Sequence, residues 1–424
     1  MTTWRLVRGF PLAVRVLLVN QLGVNIGFYL LIPYLAGYLG HDLGMSAALV
    51  GVVLGVRNLS QQGLFLIGGT ASDRFGARGV IIAGCALRAV GFGLFALGPS
   101  LPVLLLASGI SGLAGALFNP AVRAYLAQEA GERRAEAFSL FTVFANTGAL
   151  IGPLLGSALV LVGFTTSAFV AALVFALLTA AQVVVLPRRS VPPARGSVLG
   201  QWRGVLADKR FLAFTLALAG MFTLQNQLYL VLPVEAARLT GSGGSVAAVF
   251  VVSTAAGLLL QVRITRHFQR VWSRGRSIAV GMGLMGMAFL ATLLAGIAPP
   301  AAPPEDAART LLRLSPVLVA TFVLTAGLML AQPFVNELIP AFGPDSLSGT
   351  YFGIFYLASG VTAAAGNASI GWIGDLAPWA PSALCLGIGL TSAAAVFELQ
   401  RRGLVGPEPT TTPGASACAT TPTS

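Results

Sequence analysis

The sequence predicts an all-α polytopic membrane protein with twelve transmembrane helices. Of its 424 residues, 56% are hydrophobic and only 9% are charged, whereas roughly a quarter of the residues in soluble domains are charged. Apolar runs of the length that a bilayer requires, about 20 residues, recur along the chain. Because so few charges cannot cover a soluble surface, the apolar side chains are expected to face lipid.

Twelve apolar runs between polar or Gly/Pro-containing breaks are the predicted spans. Their approximate limits are 12–36, 46–67, 79–98, 102–126, 136–162, 166–187, 211–234, 245–266, 277–298, 314–337, 349–373 and 379–399. The longest polar connection separates six spans from six, and it includes the pattern of a short amphipathic surface helix at 198–206. The predicted units are an N-terminal six-helix bundle, a cytoplasmic linker, a C-terminal six-helix bundle and a disordered Thr- and Pro-rich tail, at 1–187, 188–210, 211–400 and 401–424.

Basic residues predict the orientation. With a cytoplasmic N-terminus, Arg57, Arg88 and Arg123 are the intramembrane basic residues among the 26 Lys and Arg, apart from Arg15, Arg263 and Arg266 at the inner ends of their spans. Three more, Arg238, Arg309 and Arg313, lie in outer loops. The others, Arg188 and Arg189 among them, lie on the inner side, as the positive-inside rule requires. The first run lacks a cleavage pattern and is expected to remain as a span. We therefore expect a plasma-membrane protein with both termini in the cytoplasm, whose +12 charge reflects topology and not nucleic-acid binding.

The two halves carry a weak internal repeat. An amide–proline pair, a loop acid and an aromatic residue recur 213 positions later, at Asn119-Pro120 and Gln332-Pro333, Glu132 and Asp345, and Phe138 and Tyr351. Duplicated halves around a central binding site are the usual plan of secondary transporters.

The loop after the second span reads Gly68-Gly69-Thr70-Ala71-Ser72-Asp73-Arg74-Phe75-Gly76-Ala77-Arg78. Glycines permit a tight turn, an acid can face a helix N-terminus, and arginines hold the loop at the inner surface. The segment resembles the G-x-x-x-D-R-x-G-R-R/K signature of the major facilitator superfamily, with Ala77 in place of a base; a generic basic turn is the alternative. The resemblance implies that Asp73 faces the start of the eleventh span, near 348–351, and it implies a gating role for Gly69, Asp73, Arg74, Gly76 and Arg78.

A glycine-rich stretch occupies the fifth span. Residues 148–157 are similar to the g-x-x-x-G-P-x-x-G-G motif of the drug-exporting branch of that superfamily, with Ser157 in place of the last glycine. Glycines four residues apart form a flat face for close helix packing, and a proline kinks the helix. Simple small-residue packing is the alternative. The resemblance implies a helix about which one half rocks, carried by Gly148, Gly152, Pro153 and Gly156.

The resemblance extends over residues 11–400. It looks closest to the twelve-helix drug:proton antiporters of the MdtH type, on the basis of Gly27-Phe28-Tyr29 and of residues 55–63. It implies the major facilitator fold, with two six-helix bundles around a central cavity, and a functional monomer.

Charged and amide side chains within the spans are expected to avoid lipid. Arg57 lies close to the bilayer centre, so it should face either the cavity or a structural partner. Arg88 lies nearer the inner end of its span, and Arg123 is expected to be an interfacial anchor. The three adjacent amides of residues 225–227 cannot all face lipid. The candidate cavity residues are Asn25, Tyr29, Arg57, Asn58, Gln61, Asn119, Gln225, Asn226, Tyr229, Gln332 and Asn336.

Proton coupling requires a group that titrates during the cycle. The MdtH-type proteins carry acids in spans one and four, where this chain has Asn20 and Asn119, and Ser108 stands where many antiporters have arginine. The proton-carrier candidates are therefore acids near span ends, Glu235 and Glu337 foremost, with Asp73 and Asp375 beside them. For Glu235, Glu337 and Asp375, a structural role at the helix end is the alternative.

The sequence thus predicts a secondary-active exporter of small amphipathic molecules, working by alternating access and coupled to proton influx. An importer, a facilitator or a narrow exporter of an anionic metabolite stays open, because Arg57 favours a negative group. No G-x-x-x-x-G-K-[ST] sequence occurs, which argues against direct ATP use. The 2 histidines and 3 cysteines lack metal or nucleophile spacing, so neither an enzyme nor a cofactor or metal is expected; a non-transporting receptor is a further alternative. The expected partners are the amphipathic substrate, protons and the lipid bilayer.

Overall fold

The computed structural model describes residues 3–187, 196–240, 245–297, 306–374 and 377–405, and all regular elements within these ranges are helices. Arg188 and Arg189 in the linker, Asp375 after the eleventh span, and the tail from position 406 lie outside the described residues. We refer to 3–187 as the N-terminal half and to 209–405 as the C-terminal half.

The N-terminal half consists of helices joined by short turns. They are α1 (Thr3–Arg8), α2 (Leu12–Gly37), α3 (Ala47–Gly63), α4 (Phe65–Phe75), α5 (Ala77–Leu97), α6 (Leu101–Ala130), α7 (Arg134–Val160) and α8 (Phe164–Val185). Two of the turns depend on glycine, because Gly76 between α4 and α5 has a φ of 85° and Gly131 between α6 and α7 has a φ of 54°. Residues with a Cβ rarely adopt this conformation, so glycine allows the chain to reverse direction there.

The linker and the C-terminal half follow the same plan. Their helices are α9 (Val198–Ala207), α10 (Lys209–Ala217), α11 (Ala219–Asn226), α12 (Val231–Thr240), α13 (Val246–Val271), α14 (Arg274–Ile297), α15 (Ala307–Leu338), α16 (Ser348–Gly374) and α17 (Ala380–Arg401). Helix α9 confirms the helix predicted in the linker, and Arg401, assigned above to the tail, is the last residue of α17. The predicted seventh span is not one helix but the three helices α10 to α12. One break follows α11, where Gln227 is buried and binds Asn367 of α16 at 2.9 Å.

Helix length and composition bound the number of spans. Nine helical runs in the described part of the chain are long and apolar enough to cross a membrane, or ten if α3 and α4, bent by 45°, count as one span. One run, Leu101–Val160, has 60 residues, far more than the about 20 that a span requires, and it contains both α6 and α7. Each of the twelve predicted ranges is helical over most of its described residues, and the count of twelve spans stays a prediction.

Each half packs around its own long helices. In the N-terminal half α2 lies along α7, and α5 lies between α6 and α8; in the C-terminal half α14 lies between α15 and α17. Aromatic residues such as Phe92 and Phe175 fill the interior, whereas Leu161 and Val184 are 89% and 83% exposed. Large apolar side chains on the outside are unfavourable in water and are expected in lipid.

The polar ends of several helices meet at one end of the bundle, which we call the basic end. It carries Arg74, Arg78, Arg133, Arg134 and Arg266, whose partners lie on other helix ends or connections of the same side. Arginines that bridge helix ends at one side of a membrane protein are consistent with the predicted positive-inside pattern.

Candidate functional site

Asp73 joins the two halves at the basic end. Its Oδ1 accepts a hydrogen bond from the N–H of Gly349 at 2.8 Å, and its Oδ2 accepts from the N–H and the hydroxyl of Thr350 at 2.7 and 2.6 Å. These N–H groups belong to the first turn of α16, where they have no helical partner and where the helix dipole is positive. The buried carboxylate therefore ties α4 to the start of α16, the segment that the resemblance implied as its partner.

Glycines allow α4 and α16 to approach closely at this contact. A Cβ at Gly69 would lie 3.2 Å from the backbone nitrogen of Thr350 and closer still to the carbonyl of Gly349. A Cβ at Gly349 would lie 2.7 Å from Oδ1 of Asp73 and 3.1 Å from the Cβ of Ser72. A side chain at either position would therefore force the two halves apart.

The arginines of the same loop bind backbone carbonyls. Arg78 donates through Nε to the carbonyl of Leu186 at 2.7 Å and through Nη2 to that of Val183 at 2.6 Å, and Arg74 donates to the carbonyl of Gly196. The carbonyls that Arg78 binds lie at the end of α8, where the helix dipole is negative and favours cations. The loop thus fixes the end of α8 and the start of the linker.

Helix α9 of the linker also contacts this region. The indole Nε1 of Trp202 donates to Oγ1 of Thr70 at 2.8 Å, and Thr70 Oγ1 lies 3.5 Å from Oγ1 of Thr350. Trp202 was not predicted as a site residue, because its partner lies 132 positions away in sequence. The linker therefore packs against the contact between the halves.

A second contact between the halves is an ion pair. Glu136 at the start of α7 binds Arg266 at the end of α13 at 3.3 Å, and it also binds Arg133 at 2.8 Å. Glu136 is 6% exposed, so both of its partners are needed to offset its desolvation. On the rim, Arg134 lies 3.8 Å from Asp345.

The halves diverge with distance from the basic end. Positions 69, 62 and 55 are each about two helical turns apart and lie on one face of α3 and α4. The backbone at Gly69 touches α16, and Oε1 of Gln62 would lie 2.9 Å from a Cβ at Gly360 of α16. A Cβ at Gly55 would have no described atom within 4 Å. The space between the halves is thus closed at the basic end and opens toward the other end, where Leu59 is 75% exposed.

The floor of this space is a contact across the halves. Cζ of Arg123 lies 4.6 Å from the ring centroid of Tyr356 on α16, and the Tyr356 hydroxyl donates to Oδ1 of Asn336 on α15 at 3.0 Å. Arg123 also donates to the carbonyl of Asn119 at 2.9 Å. The expectation that Arg123 is an interfacial anchor is therefore wrong, because a cation–π contact holds it between the halves.

Three of the predicted cavity residues of the N-terminal half lie together. Arg57 donates through Nη2 to Oδ1 of Asn58 at 2.7 Å and through Nη1 to Oε1 of Gln61 at 3.3 Å. Tyr29 lies beside Phe28, with the ring centroids 5.2 Å apart. Asn25 is engaged within its own helix, since it donates to the carbonyl of Gln21 at 2.8 Å.

The predicted polar residues of the C-terminal half differ in burial. Gln227 is fully buried and binds Asn367 and the carbonyl of Thr223, as expected of a helix–helix bond. Gln225, Asn226 and Gln332 are half-buried, while Tyr229 is 65% exposed. The structure therefore buries Gln227 in a helix contact and leaves the other four residues partly or largely accessible.

The predicted proton carriers are both in ion pairs. Glu235 binds Nε of Arg238 at 2.8 Å within α12, and Oε1 of Glu337 binds Arg274 on α14 at 3.1 Å. Asn20 accepts a hydrogen bond from Gln182 on α8 at 2.6 Å inside the N-terminal half. Among the described residues, no group of three or more His, Cys, Asp or Glu could hold a metal ion.

The glycine-rich stretch of α7 packs on α2 within the N-terminal half. A Cβ at Gly148 would lie 2.7 Å from that of Asn25, and a Cβ at Gly152 would lie 2.7 Å from that of Tyr29. At the next turn, Gly156 meets the backbone of Leu30. The hydroxyl of Tyr34 donates to the carbonyl of Pro153 at 2.7 Å.

Gly152→Ala is expected to destabilise the N-terminal half by about 1–3 kcal/mol, because the added methyl group overpacks the α2–α7 contact. The melting temperature of the purified protein in detergent measures the effect. Gly55→Ala is the matched control, since its Cβ would have no described atom within 4 Å and alanine favours a helix by about 1 kcal/mol over glycine. Equal melting temperatures for the two variants would contradict a packing role for Gly152.

An all-helical bundle with an apolar exterior, closed at one polar end and open at the other, defines a polytopic membrane protein built for solute passage. A model of the Major Facilitator Superfamily matches residues 17–367, so the chain belongs to this superfamily and is a membrane transporter.

Similar proteins agree with this assignment. An uncharacterized MFS-type transporter of Mycobacterium tuberculosis is 43% identical over 373 residues, which are 86% of each chain. The multidrug resistance protein MdtH of Yersinia enterocolitica is 29% identical over 360 residues, covering 85% of this chain and 86% of MdtH. This relationship confirms the resemblance to MdtH-type proteins that the sequence motifs indicated.

Solved structures confirm the fold. The human organic anion transporter MFSD10 (TETRAN) superimposes with a TM-score of 0.67 at 18% identity, over 91% of this chain and 99% of its own. A POT family transporter in complex with 5-aminolevulinic acid gives 0.67 at 14% identity, over 93% and 98%.

Proposed function

We propose that the protein is a secondary-active exporter of small amphipathic molecules that works by alternating access. The observation that carries this proposal is the one-sided closure of the space between the halves, with Asp73 on the start of α16 at the basic end and Gly55 free at the other. On the orientation predicted from the basic residues, the closed end faces the cytoplasm. A transporter in this arrangement exchanges its cargo with the outside, and the α7 motif and the MdtH relatives favour export over import.

Three observations support export of amphipathic compounds. The Gly-Pro stretch of α7 is similar to the motif of drug exporters, and relatives carry the name multidrug resistance protein MdtH. The exposed surface between the halves combines polar and apolar groups, including Asn58 and Leu59. A mixed surface of this kind suits molecules with an apolar body and a polar group.

Proton influx is the proposed driving force, with Glu337 as its first candidate carrier. Its Oε1 binds Arg274, while its Oε2 is buried without a hydrogen-bond partner among the described residues. A proton on Glu337 would neutralise its side of the ion pair and release Arg274 at the start of α14. Glu235, paired with Arg238 in α12, is the second candidate.

A narrow exporter or a facilitator of an anionic metabolite is the alternative proposal. The observation that favours it is Arg57, which has no acidic partner in the described part of the chain. An uncompensated cation inside a membrane bundle suits a negatively charged cargo.

Flux in proteoliposomes with an imposed pH gradient tests these proposals. We expect the gradient to drive several unrelated amphiphiles, with the flux collapsing when a protonophore is added. Glu337→Gln should remove the dependence on the gradient, whereas Glu398→Gln near the end of α17, where the side chain is 47% exposed, should keep it. Flux that ignores the gradient would contradict proton coupling, and the absence of flux for every compound would contradict amphiphile export.

A further inference from the structure

Arg57 and Arg88 bring two positive charges to one aromatic ring inside the N-terminal half. Their Cζ atoms lie 5.2 and 5.9 Å from the ring centroid of Phe28. Cζ of Arg88 also lies 5.3 Å from the centroid of Phe118 and 5.7 Å from that of Phe175. Arg88 lies in the middle of α5 and not near its inner end as expected from sequence. Both arginines lie roughly 16 Å along their helices, deep within a hydrocarbon core of about 30 Å.

Neither arginine has an acidic partner in the part of the chain that the structure describes. No ion pair joins Arg57 or Arg88 to an acid in the described ranges, and Arg88 donates no hydrogen bond to a described residue. Arg88 is 5% exposed, and its Nε is buried without a partner. Buried charges are normally paired and hydrogen-bonded, and aromatic faces compensate a guanidinium only in part. The N-terminal half therefore holds an unmatched positive charge at mid-membrane.

The groups around Arg57 are hydrogen-bond donors. The side-chain oxygens of Asn58 and Gln61 accept from its guanidinium, which leaves the NH₂ groups of both amides available to donate. Asn58 is exposed, and Arg57 and Gln61 are half-buried, so these groups are reachable from the space between the halves. We call Arg57, Asn58 and Gln61, with Arg88 behind the ring of Phe28, the donor cluster.

We propose that the donor cluster binds the anionic group of the cargo, a carboxylate or a chemically similar oxyanion, while the apolar body of the cargo lies against the exposed apolar surface near Leu59. This inference rests on the proposed transport function and specifies its substrate class as amphipathic organic anions. A carboxylate is an acceptor-only group that matches a guanidinium and two amide donors. Arg57 contacts the anion, and Arg88 adds positive charge across the ring. The depth of the cluster separates it from lipid headgroups.

Binding to the purified full chain in detergent, without any gradient, tests this inference. The probes are matched pairs that share an apolar body, namely benzoate and benzamide, 1-naphthoate and 1-naphthamide, and decanoate and decanamide. By isothermal titration calorimetry we expect at least one carboxylate to bind tenfold or more tightly than its amide. Arg57→Gln should abolish that preference and Arg57→Lys should retain part of it. Arg263→Gln, which removes an equal charge from an exposed position of α13, should leave the preference intact.

Arg88→Gln is the second variant, and it should reduce the preference severalfold although Arg88 is buried behind the ring. Equal affinity for carboxylate and amide in all three pairs would overturn the proposal. So would a preference that survives unchanged in both Arg57→Gln and Arg88→Gln, with gel filtration confirming that the variants are folded. Intact carboxylate binding without flux would instead contradict the exporter and leave the donor cluster standing, whereas gradient-driven flux with no carboxylate preference would contradict the donor cluster alone.

Discussion

Asp73→Asn is expected to lower transport at least tenfold and to shift the protein toward a state in which the basic end is open. Asparagine preserves the shape of the side chain but removes its charge, and its NH₂ group would face an N–H donor of α16. Hydrogen bonds to charged groups contribute about 1.5–3 kcal/mol each. A loss of about 1.4 kcal/mol already changes a population tenfold, and Asp73 makes three such bonds.

Thiol labelling at the open end measures this shift. A Gly55→Cys variant reports on the gap, because nothing described lies within 4 Å of a Cβ there. Cys85 and Cys385 are buried. With Cys418→Ser added to remove the cysteine of the tail, the introduced thiol at position 55 is the accessible thiol within the described ranges. A membrane-impermeant maleimide should label this thiol more slowly when Asp73→Asn is present.

The matched control is Asp345→Asn, which changes an acid at the rim of the same contact. The Asp345 side chain is 65% exposed and lies 3.8 Å from Arg134, so its loss is expected to alter stability by less than about 1 kcal/mol. Labelling and transport should then match the unmodified protein. If Asp73→Asn also left both unchanged, the carboxylate would not be a closing element of the gate.

The two contacts between the halves lie at equivalent helix N-termini, but the carboxylate comes from the helix itself in one contact and from the opposite half in the other. The repeat offset of 213 residues places Glu136, near the start of α7, opposite Gly349, near the start of α16. Glu136 carries its own negative charge and meets a cation, Arg266, whereas α16 offers bare N–H groups to an anion, Asp73. Both arrangements place a carboxylate at a helix N-terminus, where the dipole favours it. The two contacts thus share the same electrostatics, although a different half supplies the acid in each.

Much of the fold could be predicted from the sequence, because lipid imposes a simple rule. Each bilayer crossing must satisfy its backbone internally, so a long apolar run predicts a helix whatever its neighbours are. The breaks inside spans were missed. Gln227, at the interruption of the seventh span, binds Asn367 of α16, and α4, which follows the bend at Leu64, packs on α16. Such contacts between distant segments leave no periodic signal along the chain.

The candidate site could be predicted only where the resemblance to a known motif implies both of the segments that are in contact. The loop of Asp73 was placed because its sequence resembles a known signature, and the same resemblance implied the start of α16. The Glu136–Arg266 pair and Trp202 carry no such pattern, since single charges near helix ends are common in any membrane protein. The convergence of Arg57 and Arg88 on Phe28 involves three helices, α2, α3 and α5. Their uncharged surroundings were the only hint, because no acid lies near them in sequence.

Gly69→Val is expected to abolish measurable transport while leaving the stability of each half intact. The valine side chain would enter the space held by the backbone of Gly349 and Thr350, and no rotamer avoids a contact made by Cβ itself. Overpacking costs about 1–3 kcal/mol or more, which at about 1.4 kcal/mol per tenfold depopulates the closed state by one to two orders of magnitude. The protein relieves this overlap by separating α4 from α16, so the basic end stays open.

The distinction from Gly152→Ala makes this prediction specific. Gly152 packs inside one half, so its replacement lowers the melting temperature, whereas Gly69 packs between halves, so its replacement shifts the conformation. In the Gly55→Cys background, Gly69→Val should slow maleimide labelling and leave the melting temperature within about 2 °C of the parent, since less than about 1 kcal/mol is lost within either half. Gly79→Val in the first turn of α5 is the matched control, because a Cβ there meets no described atom within 4 Å. Normal transport by Gly69→Val would show that the halves need not close at this contact, and the alternating-access assignment of α4 and α16 would then be wrong.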